Sequence, residues 1–133
     1  MNWKKWIVAF IVAAILVQVY DFIVFGKLTV DLERRSGLAL RPDISQWKVI
    51  FTSVVATLLF TLTYALFAKS RGFGLGTGLL FGILVGFIAG WIGNVYNRLF
   101  LANFTPSLYL AWAAGSWGSY VLMGIVCGPV YKE

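Results

Sequence analysis

The amino-acid sequence predicts an all-α membrane protein built as a bundle of four transmembrane helices. Of its 133 residues, 60% are hydrophobic and only 12% are charged, and the mean hydropathy is +0.85. A chain of this size that folds in water cannot hide so much apolar surface. The apolar residues also form four runs of about 20 residues or more, the length that a helix needs to cross a bilayer.

The predicted spans are separated by polar segments. In chain order they are residues 6–25, 47–68, 75–101 and 108–131, within a single transmembrane domain, residues 1–133. The connection 26–46 is charged, and we expect a short interfacial helix within residues 28–40. The turn 69–72 is so short that the second and third spans are predicted to be antiparallel neighbours.

A short sequence echo raises the possibility of a duplication. Val19-Tyr20-Asp21 lies near the end of the first predicted span, and Val95-Tyr96-Asn97 lies near the end of the third. These spans run in the same direction, so a duplication would be parallel, two helices plus two. A chance match of three residues is the alternative.

The composition excludes several function classes. The chain has no histidine and one cysteine, Cys127, which rules out His-based acid/base catalysis and a disulfide within these residues. We predict no metal, no cofactor and no enzymatic activity. We attribute the net charge of +6 to basic residues that face lipid phosphates rather than nucleic acid. Arg34, Arg35 and Arg41 are the predicted headgroup contacts.

The most specific pattern is a glycine ridge in the third span, a glycine zipper made of Gly74, Gly78, Gly82, Gly86 and Gly90. Glycine inside a helix costs roughly 1 kcal/mol relative to alanine, so five in register need a reason. Small residues let two helix backbones approach closely in a membrane. We favour packing inside one bundle, and the alternative is an interface with another protein or the lining of a path.

The other spans carry small residues at similar spacing. They are Ala9 and Ala13 in the first span, Ser53, Thr57, Thr61 and Ala65 in the second, and Ala111, Gly115, Ser119, Gly124 and Gly128 in the fourth. We expect these positions to form helix-packing or partner surfaces.

A second pattern places polar residues at one depth. The candidate cluster consists of Gln18 and Asp21 in the first span and Asn94, Asn97 and Arg98 in the third. A carboxylate in a membrane span needs a partner, and Arg98 is predicted to supply it. Arg34 or Arg35 is the competing partner, with Ser53 and Ser116 as further contributors. We favour a structural ion pair over a proton, ion or ligand site.

The orientation is only weakly determined. One side carries Lys4, Lys5, Lys69, Arg71 and Lys132, and the other carries Lys27, Arg34, Arg35, Arg41, Lys48 and Arg98. Because these counts are nearly equal, the excess of basic residues in cytoplasmic loops does not decide the matter. We expect both termini in the cytoplasm, with a dual topology as the alternative.

The layout resembles small four-helix inner-membrane proteins of bacteria that have no assigned function. The features behind this are Tyr20-Asp21 closing the first span, the charged loop through Arg41, the glycine-rich third span and the short fourth span ending at Tyr131. In size and span count the chain is also similar to small multidrug transporters. Those carry a carboxylate in the middle of the first helix, whereas Asp21 lies near the end of the predicted span.

Two functions are compatible with these features. The leading hypothesis is a non-catalytic accessory or scaffolding subunit of a larger membrane complex, which contacts lipids and either other subunits or a second copy of itself. The alternative is a small ion- or proton-coupled transporter or channel for a small ion or a hydrophobic cation, with Asp21 as the coupling group.

Overall fold

The structure, a computed structural model, describes residues 1–38 and 45–132, and these residues form helices and turns. Four helices are long and apolar enough to cross a membrane, which confirms the prediction of an all-α four-helix membrane bundle. The first to fourth spans are Trp3–Leu28, Gln46–Arg71, Leu75–Phe100 and Pro106–Val130.

Polar side chains cap the start of three spans. The side-chain oxygens of Asn2, Ser45 and Thr105 accept hydrogen bonds from the backbone N–H three residues later, at 3.2, 3.3 and 3.3 Å. Each cap pairs one of the backbone donors that a helix start leaves open. Because Asn2 is a cap, the first helix starts earlier than the sequence pattern predicts.

The first span also ends later than predicted. Its helix continues through Gly26 as a π-helical segment, Val24–Leu28, and a short helix, Val30–Ser36, follows. The predicted connection 26–46 is therefore helical over much of its first half. Gly37, with a φ of 69°, closes the short helix in a left-handed conformation that suits glycine.

The third span contains a second π-helical segment, Phe87–Ile92, between two α-helical parts, Leu75–Gly86 and Gly93–Phe100. In an α-helix each step of four residues turns 40° beyond a full turn, so a four-residue ridge drifts around the axis. A π-helical turn holds more residues, and its steps of four fall short of a full turn. The π segment thus returns the ridge to one side, where Gly90 and Asn94 are both buried.

The fourth span is the central helix of the described residues. It contacts each of the other three spans, whereas the first and third spans make no contact with each other. The proposed parallel duplication stays a hypothesis. The Tyr20-Asp21 motif precedes the π-helical segment of the first span, while Tyr96-Asn97 follows that of the third.

The glycine ridge faces the fourth span at very short range. A Cβ at Gly82 would lie 2.6 Å from the Tyr120 carbonyl oxygen, and one at Gly90 would lie 2.8 Å from that of Ala113. On the facing helix, a Cβ at Gly128 would lie 2.8 Å from Leu75 Cα. Gly78 is buried in the same interface against Gly124 and Gly128. Gly86 is buried there against Trp117 and Tyr120. Two backbones therefore touch where no side chain fits between them.

Gly74, the first member of the predicted ridge, lies before the helix. Its φ of 143° is one that residues with a side chain rarely adopt. Its carbonyl oxygen would lie 2.7 Å from a Cβ on Gly128. Gly74 therefore faces the fourth span with its backbone, from a position before the helix that carries the ridge.

The remaining small residues serve other contacts. A Cβ at Gly115 would meet Val24 and Phe25 of the first span at 2.8 and 3.0 Å, so this glycine faces away from the third span. Small side chains of the first two spans are buried in the bundle: Ala9, Ala13, Thr57, Thr61 and Ala65.

Aromatic rings join the second span to the third. The Phe60 and Phe81 ring centroids are 4.9 Å apart, and those of Phe67 and Phe81 are 5.0 Å apart. Tyr64, fully buried, contacts Phe81 and Tyr131. These contacts involve the later half of the second span, so its first half depends on other neighbours.

We predict that Gly82→Ala lowers the free energy of unfolding by about 1–3 kcal/mol, the usual cost of overpacking. The reason is that the new methyl group would overlap backbone atoms that cannot move aside. Reversible unfolding of the full chain in mixed micelles measures this. Gly76→Ala is the matched control, because a Cβ there meets nothing within 4 Å. An equal loss in both variants would contradict the assigned contact.

Candidate functional site

A cavity of about 560 Å³ lies between the first, second and fourth spans, and Asp21 is part of its wall. Its apolar wall comes mainly from Val17, Phe25, Val49, Ala56, Tyr120 and Met123, and its polar wall from Asp21, Lys48, Thr52, Ser53, Thr57, Ser116 and Ser119. Apolar surface into which polar groups converge is the usual form of a small-molecule site.

Asp21 lies farther from the end of its helix than the sequence predicts. Because the first span continues to Leu28, the carboxylate lies seven residues before its end, or about 10 Å along the axis at 1.5 Å per residue. The prediction placed this residue four positions from the end of a span that closed at Phe25.

Hydroxyl groups from two other spans face the carboxylate. Ser53 Oγ donates to Asp21 Oδ2 at 3.4 Å, and the Ser119 hydroxyl faces the same group from the fourth span. Asp21 Oδ1 is buried and accepts no hydrogen bond from the residues that the structure describes. The carboxylate is therefore only partly satisfied.

The basic residue predicted to pair with Asp21 does not do so. Arg98 donates to the backbone carbonyl of Phe104 instead. The predicted Asp21–Arg98 pair is absent because the fourth span separates the first span from the third. Lys48 lines the same cavity as Asp21 and makes contacts of its own. Across residues 1–38 and 45–132, no Lys or Arg forms an ion pair with Asp21.

The polar cluster predicted from matched depth is therefore two separate groups. Asn97 Nδ2 donates to Asn94 Oδ1 at 3.0 Å, and Asn94 Nδ2 donates to the Gly90 carbonyl at 2.6 Å. With Arg98, these residues stabilise the end of the third span and the turn after it. In the first span, the Nε2 atom of Gln18 is buried and has no hydrogen-bond partner in the described part of the chain.

The two arginines of the short helix are exposed and do not reach Asp21. This helix is tied to the fourth span through Glu33, whose Oε1 accepts hydrogen bonds from Trp112 Nε1 and Thr29 Oγ1, both at 3.0 Å. Arg34 and Arg35 thus lie on an anchored helix outside the first span. Arg41 lies outside the described residues.

Tyr20 fixes the first span beside the cavity. Its hydroxyl donates to the Gly115 carbonyl at 3.0 Å and presses on Gly118, whose missing side chain makes room for it. Asp21 follows directly in the chain, so this contact sets the position of the carboxylate relative to the fourth span.

Sequence reasoning found part of this site. Ser53 and Ser116 were candidate contributors, and both line the cavity. Ser119 appeared only as a packing position, and Lys48, Thr52 and Tyr120 were not identified with Asp21. The available signal was the set of hydroxyl residues at positions 52 and 53, in the first third of the second span, and at positions 116 and 119, near the middle of the fourth.

Comparison with protein-family models, curated proteins and solved structures finds no match to this chain. Within the described residues, no three His, Cys, Asp or Glu side chains lie close enough together to hold a metal ion.

We predict that Asp21 is coupled energetically to Ser53 and not to Arg98. Effects on the free energy of unfolding of Asp21→Asn and Arg98→Gln should add to within about 0.3–0.5 kcal/mol, as for residues without contact. Asp21→Asn and Ser53→Ala should show a coupling of about 0.5–3 kcal/mol, as for residues in contact. Double-mutant cycles in mixed micelles measure both values. A coupling to Arg98 larger than that to Ser53 would contradict this assignment.

Proposed function

We propose that the Asp21 cavity binds a proton or a small cation, and that the protein acts as an ion- or proton-coupled transporter or channel. The observation that carries this proposal is a transmembrane carboxylate that lines a cavity of about 560 Å³ without a cationic partner among the described residues. The other interpretation of Asp21, a structural ion pair, requires such a partner.

Electrostatics favour a positively charged occupant. An ionised carboxylate within the hydrocarbon region is costly unless a charge or hydrogen-bond donors compensate it. Ser53 and Ser119 supply part of this compensation, while Oδ1 is buried without a donor from the described residues. A proton bound at Oδ1, or a cation in the cavity that offsets the negative charge, supplies the rest, and a neutral occupant without a donor does not.

We expect Asp21→Asn to abolish flux of the transported cation in proteoliposomes while the protein stays folded. The substitution keeps the size of the side chain and removes its charge. Trapped fluorescent indicators report proton and alkali-cation flux driven by an imposed gradient, and circular dichroism reports folding.

Asp31→Asn is the matched control, since Asp31 is exposed on the short helix outside the spans. It removes one carboxylate on the same side of the membrane and should leave flux unchanged. Equal flux in wild type and Asp21→Asn, or no flux in wild type, would rule out the proposal.

A non-catalytic accessory or scaffolding role is the second proposal. The observation that favours it is glycine on the outside of the third span, where internal packing does not need it. A Cβ at Gly93 meets only Ile88 of its own helix, at 3.8 Å. An exposed glycine inside a helix is costly, and a close-packed partner helix is one reason to keep it.

Purification in mild detergent tests this role. An accessory subunit should elute with a partner protein or as an oligomer, and Gly93→Leu should reduce that association while Val95→Leu, an exposed neighbour, should not. A strictly monomeric protein without a co-purifying partner contradicts it.

The proposed setting is the cytoplasmic membrane of a bacterium, with both termini in the cytoplasm. The support is the position of Lys4, Lys5, Lys69 and Arg71 in short segments next to the spans. The resemblance to small four-helix bacterial proteins likewise stays a prediction.

A further inference from the structure

A second, apolar cavity lies next to the Asp21 cavity. It has a volume of about 260 Å³ and lies between the second, third and fourth spans. We call it the apolar groove, and its lining residues are Ala56, Leu59, Phe60, Thr63, Phe81, Val85 and Tyr120. Ala56 and Tyr120 line both cavities, so the two are adjacent.

The two cavities lie at different depths. Along the second span, which begins at Gln46, residues 48–57 line the Asp21 cavity and residues 56–63 line the groove. At 1.5 Å per residue, the groove begins about 15 Å along the span, near the middle of a hydrocarbon core about 30 Å thick. The polar cavity is therefore closer to the interface, and the apolar groove reaches inward.

This order matches the two ends of an amphiphile in a bilayer. The groove offers aromatic and aliphatic walls to a hydrocarbon chain. Leu59, with 58% of its surface exposed, and the exposed Thr63 lie at its edge, so the groove meets the outer surface of the bundle. A molecule dissolved in the bilayer has access to the groove there.

The polar end fits an organic ammonium group better than a divalent metal ion. Hard divalent cations take six or more oxygen ligands, whereas Asp21 is the only carboxylate that the described residues contribute to this cavity wall. An ammonium group donates to the carboxylate and to the Ser53 and Ser119 hydroxyls. The Tyr120 and Phe25 rings in the same wall are also favourable neighbours of a cation.

We infer that the occupant of this site is an amphiphilic amine from the bilayer, with its ammonium group at Asp21 and its hydrocarbon chain in the apolar groove. The inference rests on the proposed function and assigns the class of cation. Two membrane components share this chemistry, a single-chain amine and an aminophospholipid.

The inference is tested with the full chain in phosphatidylcholine nanodiscs and a dodecylamine that carries a photoreactive diazirine on its chain. After irradiation, mass spectrometry should locate the label within residues 56–63 and 81–85. Dodecanol has the chain without the charge, and butylamine has the charge with a short chain. Each should compete at least about tenfold more weakly than dodecylamine, because each lacks one of the two contacts.

Two substitutions separate the ends of the site. Asp21→Asn removes the charge and should reduce labelling at least about tenfold. Val85→Trp fills the groove from the third span and should do the same, whereas Val95→Trp, at an exposed position of that span, should not. The competition series uses the wild-type protein, so it holds even if Val85→Trp does not fold.

The outcomes distinguish this inference from the proposed function. If butylamine competes as well as dodecylamine and Asp21→Asn abolishes both, a cation site exists and the amphiphile inference is wrong. If Asp21→Asn changes neither labelling nor flux, both are wrong. Competition by phosphatidylethanolamine added to the nanodiscs identifies an aminophospholipid, and its absence identifies a single-chain amine.

Discussion

Backbone contact between the third and fourth spans is the interaction on which the rest of the structure depends. Lipid chains are as apolar as the helix exteriors, so burial of apolar surface does not hold helices together in a membrane. Dispersion contacts do, and they require close approach. Gly78 and Gly82 on one helix and Gly124 and Gly128 on the other remove every Cβ that would keep the backbones apart.

This contact decides where the cavities form. The third span occupies one side of the fourth, and the first span occupies another side through Gly115 and Tyr20. The second span packs beside the first and is joined to the third by the aromatic rings around Phe81. Its first half is left beside a gap, and Asp21 faces into that gap. The polar cavity is thus a consequence of how the small residues are distributed among the spans.

The sequence was sufficient to predict the four spans, because length and hydropathy determine them. It also identified the ridge positions from their spacing. Spacing defines a face of a helix and does not name the helix that this face contacts. The sequence therefore did not predict that Gly115 contacts the first span and Gly124 the third. The π-helical segments carry no sequence signal that was recognised, although Val24–Leu28 places Asp21 farther from the end of its helix and Phe87–Ile92 keeps Gly90 in the interface.

The prediction of one polar cluster was wrong for a related reason. Asp21 and Arg98 were matched by depth, and depth says nothing of lateral distance within the bundle. The fourth span lies between them, and its Ser119, together with Ser53, faces Asp21 instead. Hydroxyl residues are common at helix-packing positions, which is why the sequence alone presented Ser119 as a packing residue.

Solid-state NMR of the full chain in lipid bilayers, with ¹³C only at glycine Cα, tests the central claim most directly. Contact between the third and fourth spans predicts cross-peaks that link Gly78 and Gly82 with Gly124, and Gly78 with Gly128. These peaks should persist when labelled protein is diluted with unlabelled protein, because the contact lies within one chain. Their absence, or their loss on dilution, would contradict the account and assign the glycine ridge to another helix.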